Sequence, residues 1–402
     1  MRILEVAPQY TPEANGIAEV ASRVATGLAR RGHDVEVATR AFPGAPLEST
    51  LAGVKVHRFA ISGNGVRGIV ASSREVSRFR NLLRGQSWDI IHFHTGQSWT
   101  LDLMSDEIQS LPGKHVFTPH GAAPVPGVVV PGDYYSRLVA VYARFDRVTC
   151  QSESYGEIPF AMSHGLPKPT VIPNAIEPTE YGHVTTDYRH LWHIDERPFI
   201  INLSNHAPQK GHERLFELAG HLDKDAVLCN IGRSHRAAKW GLGRLGVRGG
   251  CYYACHLKAL GKPTIQMRSL RDRSSNASAL ALANVFVLTS RWEASPLVML
   301  EAMASGLPWV SFDVGNVHDY PGGFIVSTVQ EMADRVHEIL HNPALASTLG
   351  CAGRDYVLRH NSWQKVIGEY EALFLELVPT VPAARVSQQD IPGEQSGESS
   401  DG

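Results

Sequence analysis

A short apolar run, a glycine-bearing loop, an amphipathic helical stretch and a second apolar run follow one another at the start of the chain. The same succession begins again after residue 198. Residues 3–7 form the first run and residues 8–16 a loop rich in breakers. Ile17, Val20, Ala21, Val24 and Leu28 then recur at helical spacing. Arg30-Arg31-Gly32 closes that helix with cations and a glycine at its negative end, and residues 34–39 form the next run. Two strands joined through a helix must lie parallel, with a right-handed crossover. Further strand-like runs fall at 89–94, 114–118, 147–151 and 170–172, and the second series has runs at 199–203, 226–231, 285–288 and 309–312. The expectation is α/β: two doubly wound, Rossmann-like domains, residues 1–180 and 181–360, facing each other across a cleft.

Composition agrees. The chain has 402 residues, enough for two domains, with 43% hydrophobic and 19% charged residues. Lys and Arg number 38 against 40 Asp and Glu, a formal net charge of −2. That excludes the cationic surplus needed to bind a nucleic-acid polymer. Five cysteines are scattered along the chain, which suits a reducing cytosol better than a disulfide framework. No run is long and apolar enough to span a bilayer, and the N-terminus reads as a strand rather than a signal peptide. A cytoplasmic protein is expected, with residues 379–402 a disordered tail of Pro, Ser, Gln, Glu and Gly.

The most informative segment is Arg291 to Pro308, RWEASPLVMLEAMASGLP. Ser295 is read as a helix N-cap, with Pro296 at the first helical position and Gly306 and Pro308 ending the helix. Free N–H groups at such a start attract an anion such as a diphosphate. Glu293 before the helix and Glu301 within it suit something neutral and rich in hydroxyls, since a carboxylate accepts two hydrogen bonds from a vicinal diol. Glu301 lies ~9 Å along the axis from the first turn, which suits a ribose, with Glu293 nearer a sugar.

The Glu-x7-Glu pattern followed by Glu-Ala-Met-Ala-Ser-Gly-Leu-Pro resembles the retaining glycosyltransferases of family 4, which have the GT-B fold. Other stretches agree in order: Asp89-Ile90-Ile91-His92-Phe93-His94, Thr118-Pro119-His120-Gly121, Val171-Ile172-Pro173-Asn174-Ala175-Ile176-Glu177, Gln209-Lys210-Gly211-His212 and Asp313-Val314-Gly315-Asn316. The resemblance implies transfer of a sugar from a nucleoside-diphosphate donor, uridine favoured over guanosine, to an acceptor hydroxyl of a small molecule, polysaccharide or lipid-linked glycan. The same site would serve an epimerase, a phosphorylase or a non-catalytic binding subunit. It also implies a final helix, residues 361–378, crossing back to the first domain.

Residue by residue, the resemblance places His120 beside the reacting carbon with Glu293 on the sugar, and makes Gly16 part of a phosphate-contacting loop. Lys210 and the Ser295–Pro296–Leu297 start would bind the diphosphate, and Glu301 the ribose. Where the family usually carries an Arg about five positions before the Lys, this chain has Asn205 and His206; His206 or Arg268 is the expected substitute. Asn15, His94 and Ser152 are assigned to the acceptor side.

Three motifs are set aside. Gly241-Leu242-Gly243-Arg244-Leu245-Gly246 follows no strand, and Asp223-Lys224-Asp225 reads as a polar turn rather than a metal-binding motif. Cys251 and Cys255 have no second pair at zinc spacing. No metal and no cofactor are therefore expected, the nucleotide sugar being a substrate. Between Arg67 and Arg84, Ile69, Val76 and Leu83 suggest one helical stripe, with Arg67, Arg74 and Arg78 opposite. Such a face offers weak contact with the inner membrane surface.

Overall fold

The computed structural model describes residues 1–13, 15–124, 132–233, 251–270 and 272–378. The Gly241–Gly246 motif and the tail from residue 379 lie outside these residues. In the first half, strands β1 (Arg2–Val6), β2 (Asp34–Arg40), β3 (Glu48–Leu51), β4 (Val54–Phe59), β7 (Ile90–His94), β8 (Lys114–Thr118), β9 (Arg147–Cys150) and β10 (Thr170–Val171) form one sheet in the order β10-β9-β8-β7-β1-β2-β4-β3. Only the edge strand β3 runs antiparallel. The second half holds β11 (Phe199–Leu203), β12 (Val227–Ile231), β13 (Ile265–Arg268), β14 (Val285–Leu288), β15 (Trp309–Phe312) and β16 (Gly323–Val326), all parallel, in the order β13-β12-β11-β14-β15-β16. Every residue of β7, β11, β12 and β14 is buried. Helices on both faces of a parallel sheet demand continuous apolar runs of this kind.

The basic stripe between Arg67 and Arg84 is not one helix. Strands β5 (Ser62–Asn64) and β6 (Gly68–Val70) form a small hairpin, and the helix begins only at Ser73, capped by Ser72. Gly63 and Gly68, both at positive φ, favour the hairpin over a helix. Arg67 sits in the hairpin turn, and Arg78 is tied to Glu48 and Glu75 and lies over the Phe59 ring. No face of three free arginines forms. Among the described residues no helix is long and apolar enough to cross a membrane.

The Trp363–Leu377 helix, capped by Ser362, returns to the first half. Trp363, Val366, Ile367, Tyr370, Leu373 and Phe374 pack with Val20, Val24 and Leu28 of the Gly16–Arg30 helix. Where the chain crosses out and back, Ile176 N–H donates to Asn361 O (2.9 Å), Trp363 N–H to Ile176 O (3.2 Å), and Asn361 Nδ2 to Asn174 O (2.8 Å).

Gly27 lies directly against the returning helix: a Cβ there would lie 2.1 Å from Ile367 Cδ1. Gly27→Ala should cost about 1–3 kcal/mol by overpacking. In an Ile367→Ala background the same change should be neutral or stabilising, because alanine favours the helix. A double-mutant cycle by chemical denaturation measures the coupling, and additive effects would refute the contact.

Candidate active site

In each sheet the chain leaves a central strand first to one side and later to the other. β1 has β2 and β7 as neighbours, and β11 has β12 and β14. The loops at the carboxyl ends of such strands diverge and leave a crevice. Those after β1, β11 and β14 carry Asn15, Lys210 and Glu293. A cavity of about 390 Å³ lies between the halves, and Gly16, His120, Lys210, Arg273, Glu293 and Glu301 are among its lining residues.

Two helix starts meet there. The Gly16–Arg30 helix is capped by Asn15, whose Oδ1 accepts from Ala18 N–H at 3.0 Å. Across the cleft the second helix runs Leu297–Ala304, one residue later than expected, and its N-cap is Pro296 rather than Ser295. Asn174 Nδ2 donates to Ser295 O (2.8 Å) and occupies the carbonyl that the expected helix would have used. Among the described residues no side chain caps this second start, so its first N–H groups are open to an anion. A Cβ on Gly16 would stand 3.5 Å from Leu297 Cδ1.

Charges flank the helix starts in pairs. Lys210 Nζ donates to Glu293 Oε1 at 2.5 Å, and Ser290 Oγ donates to the same oxygen at 2.6 Å. The turn that presents Lys210 closes on Gly211 in the left-handed conformation, where a Cβ would fall 2.1 Å from Thr289 O. Only glycine fits. Arg273 binds Glu301 and Glu19, lies 3.9 Å from Glu180, and donates to Tyr181 Oη at 2.9 Å. The sequence reading missed Arg273, because no motif surrounds it. Its one signal was position: it follows the N-cap Asp272 in the connection after β13. Arg233 was also missed and also lines the cavity.

A chain of buried polar groups stands behind His120. His94 Nε2 lies 2.7 Å from Glu5 Oε2, and His94 Nδ1 lies 3.0 Å from His120 Nε2. Burial pushes the Glu5 carboxyl up, but the charge and hydrogen bonds of His92 and His94 outweigh it and hold the group at about 2. Burial and then His92 push His94 down to about 4. His120 is likewise held well below the ordinary value, by burial first and then by His94 and His92. Glu5 is therefore ionised and both histidines neutral near pH 7. An ionised Glu5 accepts from His94 Nε2–H, so His94 Nδ1 must accept from His120 Nε2–H. That tautomer leaves the lone pair of His120 on Nδ1. His120 itself adopts φ +53° and Gly121 φ +88°, and a Cβ on Gly121 would meet Ala294 Cβ at 2.8 Å across the cleft. Glu157 anchors this turn, its Oε1 accepting from Gly121 and Ala122 N–H at 3.0 and 3.1 Å.

Of the residues expected from sequence, Asn15, Gly16, His120, Asn205, Lys210, Glu293, Ser295, Pro296, Leu297 and Glu301 come together on the cavity. Four do not line it. His94 is fully buried behind His120. Ser152 bonds Ser154 and Asp319 Oδ2 at 2.7 Å. Arg268 lies over the Trp192 ring and donates to Gln266, because its strand directs it to the sheet face rather than the cleft. His206 is fully buried and turned toward Cys251. Neither Arg268 nor His206 replaces the missing arginine of the Asn205 position. Asn205 Oδ1 instead accepts from Arg233 N–H (3.1 Å). The reason for setting Cys251 and Cys255 aside also fails, since His206 and His212 lie beside them and make up a second pair of donors.

The family model described as Glycosyltransferase Family 4 matches residues 14–180, and that described as Glycosyl transferases group 1 matches residues 186–356. The chain is a family 4 glycosyltransferase. This glycosyltransferase is 25% identical to a GDP-mannose-dependent alpha-mannosyltransferase of Mycolicibacterium smegmatis, over 93% of this chain and 98% of the relative. It is 26% identical to an alpha-D-kanosaminyltransferase of Streptomyces kanamyceticus over 40% of each. A sucrose-phosphate synthase structure from Thermosynechococcus elongatus superposes with TM-score 0.75 at 18% identity, covering 94% of this chain and 99% of that one. The Anabaena protein HepE, in complex with UDP-glucose, gives TM-score 0.74 at 14% identity, covering 94% and 100%. The fold is thus GT-B.

Burial pushes the Glu157 carboxyl up from 4.5 to about 7, against the pull of the backbone N–H groups it accepts from. Between those values the folded glycosyltransferase binds more protons than the unfolded chain, so this group makes stability fall as pH rises toward 7. Glu157→Gln keeps an acceptor for Gly121 and Ala122 without the charge. Its stability relative to wild type should improve by on the order of 2 kcal/mol between about pH 5 and about pH 8. Denaturant titrations at the two pH values measure this, and a pH-independent difference would refute it.

Proposed function

We propose that the enzyme transfers a hexose from a nucleoside-diphosphate donor to an acceptor hydroxyl with retention at the anomeric carbon. The observation that carries this reading is the convergence of two helix starts, Lys210, Glu293 and Glu301 on one cavity. In this reading the diphosphate lies at the Leu297 start, with Gly16 opposite and Lys210 and Arg273 supplying charge. Glu301 accepts from the ribose hydroxyls, and Glu293 accepts from the sugar once Lys210 turns to phosphate. The His120 Nδ1 lone pair accepts from a sugar hydroxyl and so places the anomeric carbon.

The chemistry then needs stabilisation of the departing diphosphate and of an oxocarbenium-like centre. The acceptor attacks from the face the phosphate leaves, and its proton passes to the leaving phosphate oxygen. Glu293 and Lys210 stand close enough to neutralise each other, so separation on donor binding would expose both charges to the substrate. An epimerase or phosphorylase would use the same phosphate site, and formation of a glycosylated acceptor separates transfer from both.

Thermal shift with UDP-glucose, UDP-N-acetylglucosamine, ADP-glucose and GDP-mannose tests the donor class and separates the uridine expected from sequence from the guanosine of the full-length mycobacterial relative. At least one should raise Tm, by mass action. Glu301→Ala should weaken that donor roughly tenfold, the worth of about one charged hydrogen bond. His120→Ala should lower kcat by about 10²-fold or more while leaving nucleotide binding intact. Stabilisation by no nucleotide sugar would overturn the reading, and proton NMR of the product reports retention or inversion.

A further inference from the structure

We propose that His206, His212, Cys251 and Cys255 form a structural zinc site in the second domain. The four residues come from two separate segments. His206 and His212 flank the Lys210 loop, and Cys251 and Cys255 sit one turn apart on the Cys251–Ala259 helix. Their potential ligand atoms all lie within 4.8 Å of one another. His212 Nδ1 is 2.8 Å from Cys251 Sγ and 3.6 Å from Cys255 Sγ. Cys251 Sγ is 3.6 Å from His206 Nδ1 and 3.2 Å from Cys255 Sγ.

Zinc bonds of ~2.3 Å to sulfur and ~2.0 Å to nitrogen in a tetrahedron put ligand atoms ~3.3–3.8 Å apart. Spacings of 3.2, 3.6 and 3.6 Å lie in or next to that range, and the 2.8 Å contact would open by roughly half an ångström or more. A disulfide would require ~2.05 Å between the sulfurs.

The surroundings select the protonation that a metal needs. Ser204 Oγ lies 2.8 Å from His212 Nε2 and donates its own proton to Asn202 Oδ1 or Asn230 Oδ1, at 2.6 and 3.0 Å. Its lone pair must then accept from His212 Nε2–H. The other ring nitrogen, Nδ1, is left with its lone pair aimed at the two sulfurs. An outer hydrogen bond that fixes the tautomer in this way is a regular partner of metal-bound histidine. His206 is fully buried, and its backbone N–H donates to Arg233 O at 3.1 Å, which holds the residue in place beside the sulfurs.

Two nitrogens and two sulfurs are a borderline-soft donor set, which suits zinc and rejects magnesium and calcium. Four protein ligands close the coordination sphere, as in structural rather than catalytic sites. The site lies outside the sugar-transfer cavity. Instead, a groove of about 890 Å³ reaches it, lined by His212, Cys251, Cys255 and Arg291. An ion there would clamp both ends of the loop that carries Lys210 to the helix at Cys251. Zinc would thereby set the position of the lysine without touching substrate.

The test uses tag-free, full-length protein kept reduced. Elemental analysis should find about one equivalent of zinc. Removal by a chelator should lower Tm by roughly 5–10 °C, restored by zinc but not by magnesium. Cobalt(II) added to the stripped protein should give the intense visible bands of a tetrahedral, thiolate-bound ion. Cys255→Ser and His206→Ala should each lose that spectrum, while Cys351→Ser, at an exposed cysteine elsewhere, should keep it. Should the site variants fail to fold, the wild-type cobalt spectrum decides by itself. Protein that takes up neither zinc nor cobalt, that holds copper instead, or that isolates with a Cys251–Cys255 disulfide would overturn the proposal.

Discussion

Arg273 is bonded to a carboxylate from each side of the cleft: Glu19 on the first domain's opening helix and Glu301 on the helix that starts at Leu297. Glu180, where the chain passes from one half to the other, stands 3.9 Å away. Half-buried charges held this way are costly to separate, because removing one leaves the others unpaired. The pairing therefore ties the two halves together beside the Gly16 and Leu297 helix starts. It also orients Glu301, since a carboxylate that spends one oxygen on a guanidinium still has lone pairs to offer a diol. Arg23 reaches Glu19 and Glu180 as well, so two arginines share two of the three acids.

Local polarity thus does the work that a basic surface does in other phosphate-binding proteins. The chain as a whole is near neutral. Within the cavity, among the described residues, positive character comes from backbone N–H groups at helix starts and from Lys210, Arg233 and Arg273. Two of these are matched by glutamates, Lys210 by Glu293 and Arg273 by Glu301. The arrangement keeps buried charge compensated whichever partner is present.

Periodicity made the fold legible. Continuous apolar runs alternating with striped helices leave few topologies, and both sheets follow that reading. The site was legible wherever a loop motif carries its own chemistry, as at Pro119-His120-Gly121, Gln209-Lys210-Gly211 and the Glu293–Glu301 segment. It failed where side-chain direction decides the outcome. Arg268 sits at the carboxyl end of the edge strand β13 and turns to Trp192 rather than to the cavity, a side-chain direction that the motif spacing does not show. The Ser295 cap failed because a distant residue, Asn174, captured its carbonyl. Arg67 to Arg84 failed because Gly63 and Gly68 at positive φ outweigh a weak apolar stripe. The Cys/His cluster escaped notice because its halves lie about forty residues apart, joined only by folding.

The returning helix makes the second domain an insertion within the first, entered at Ile176 and left at Ser362. The two crossings lie side by side and are bonded to one another as a parallel bridge. A single connecting chain would permit the halves to swivel about any axis. Two cross-linked chains permit bending along the line that joins them and resist twisting. Any relative motion of the halves is thereby held mainly to one axis, which keeps the same two helix starts in opposition.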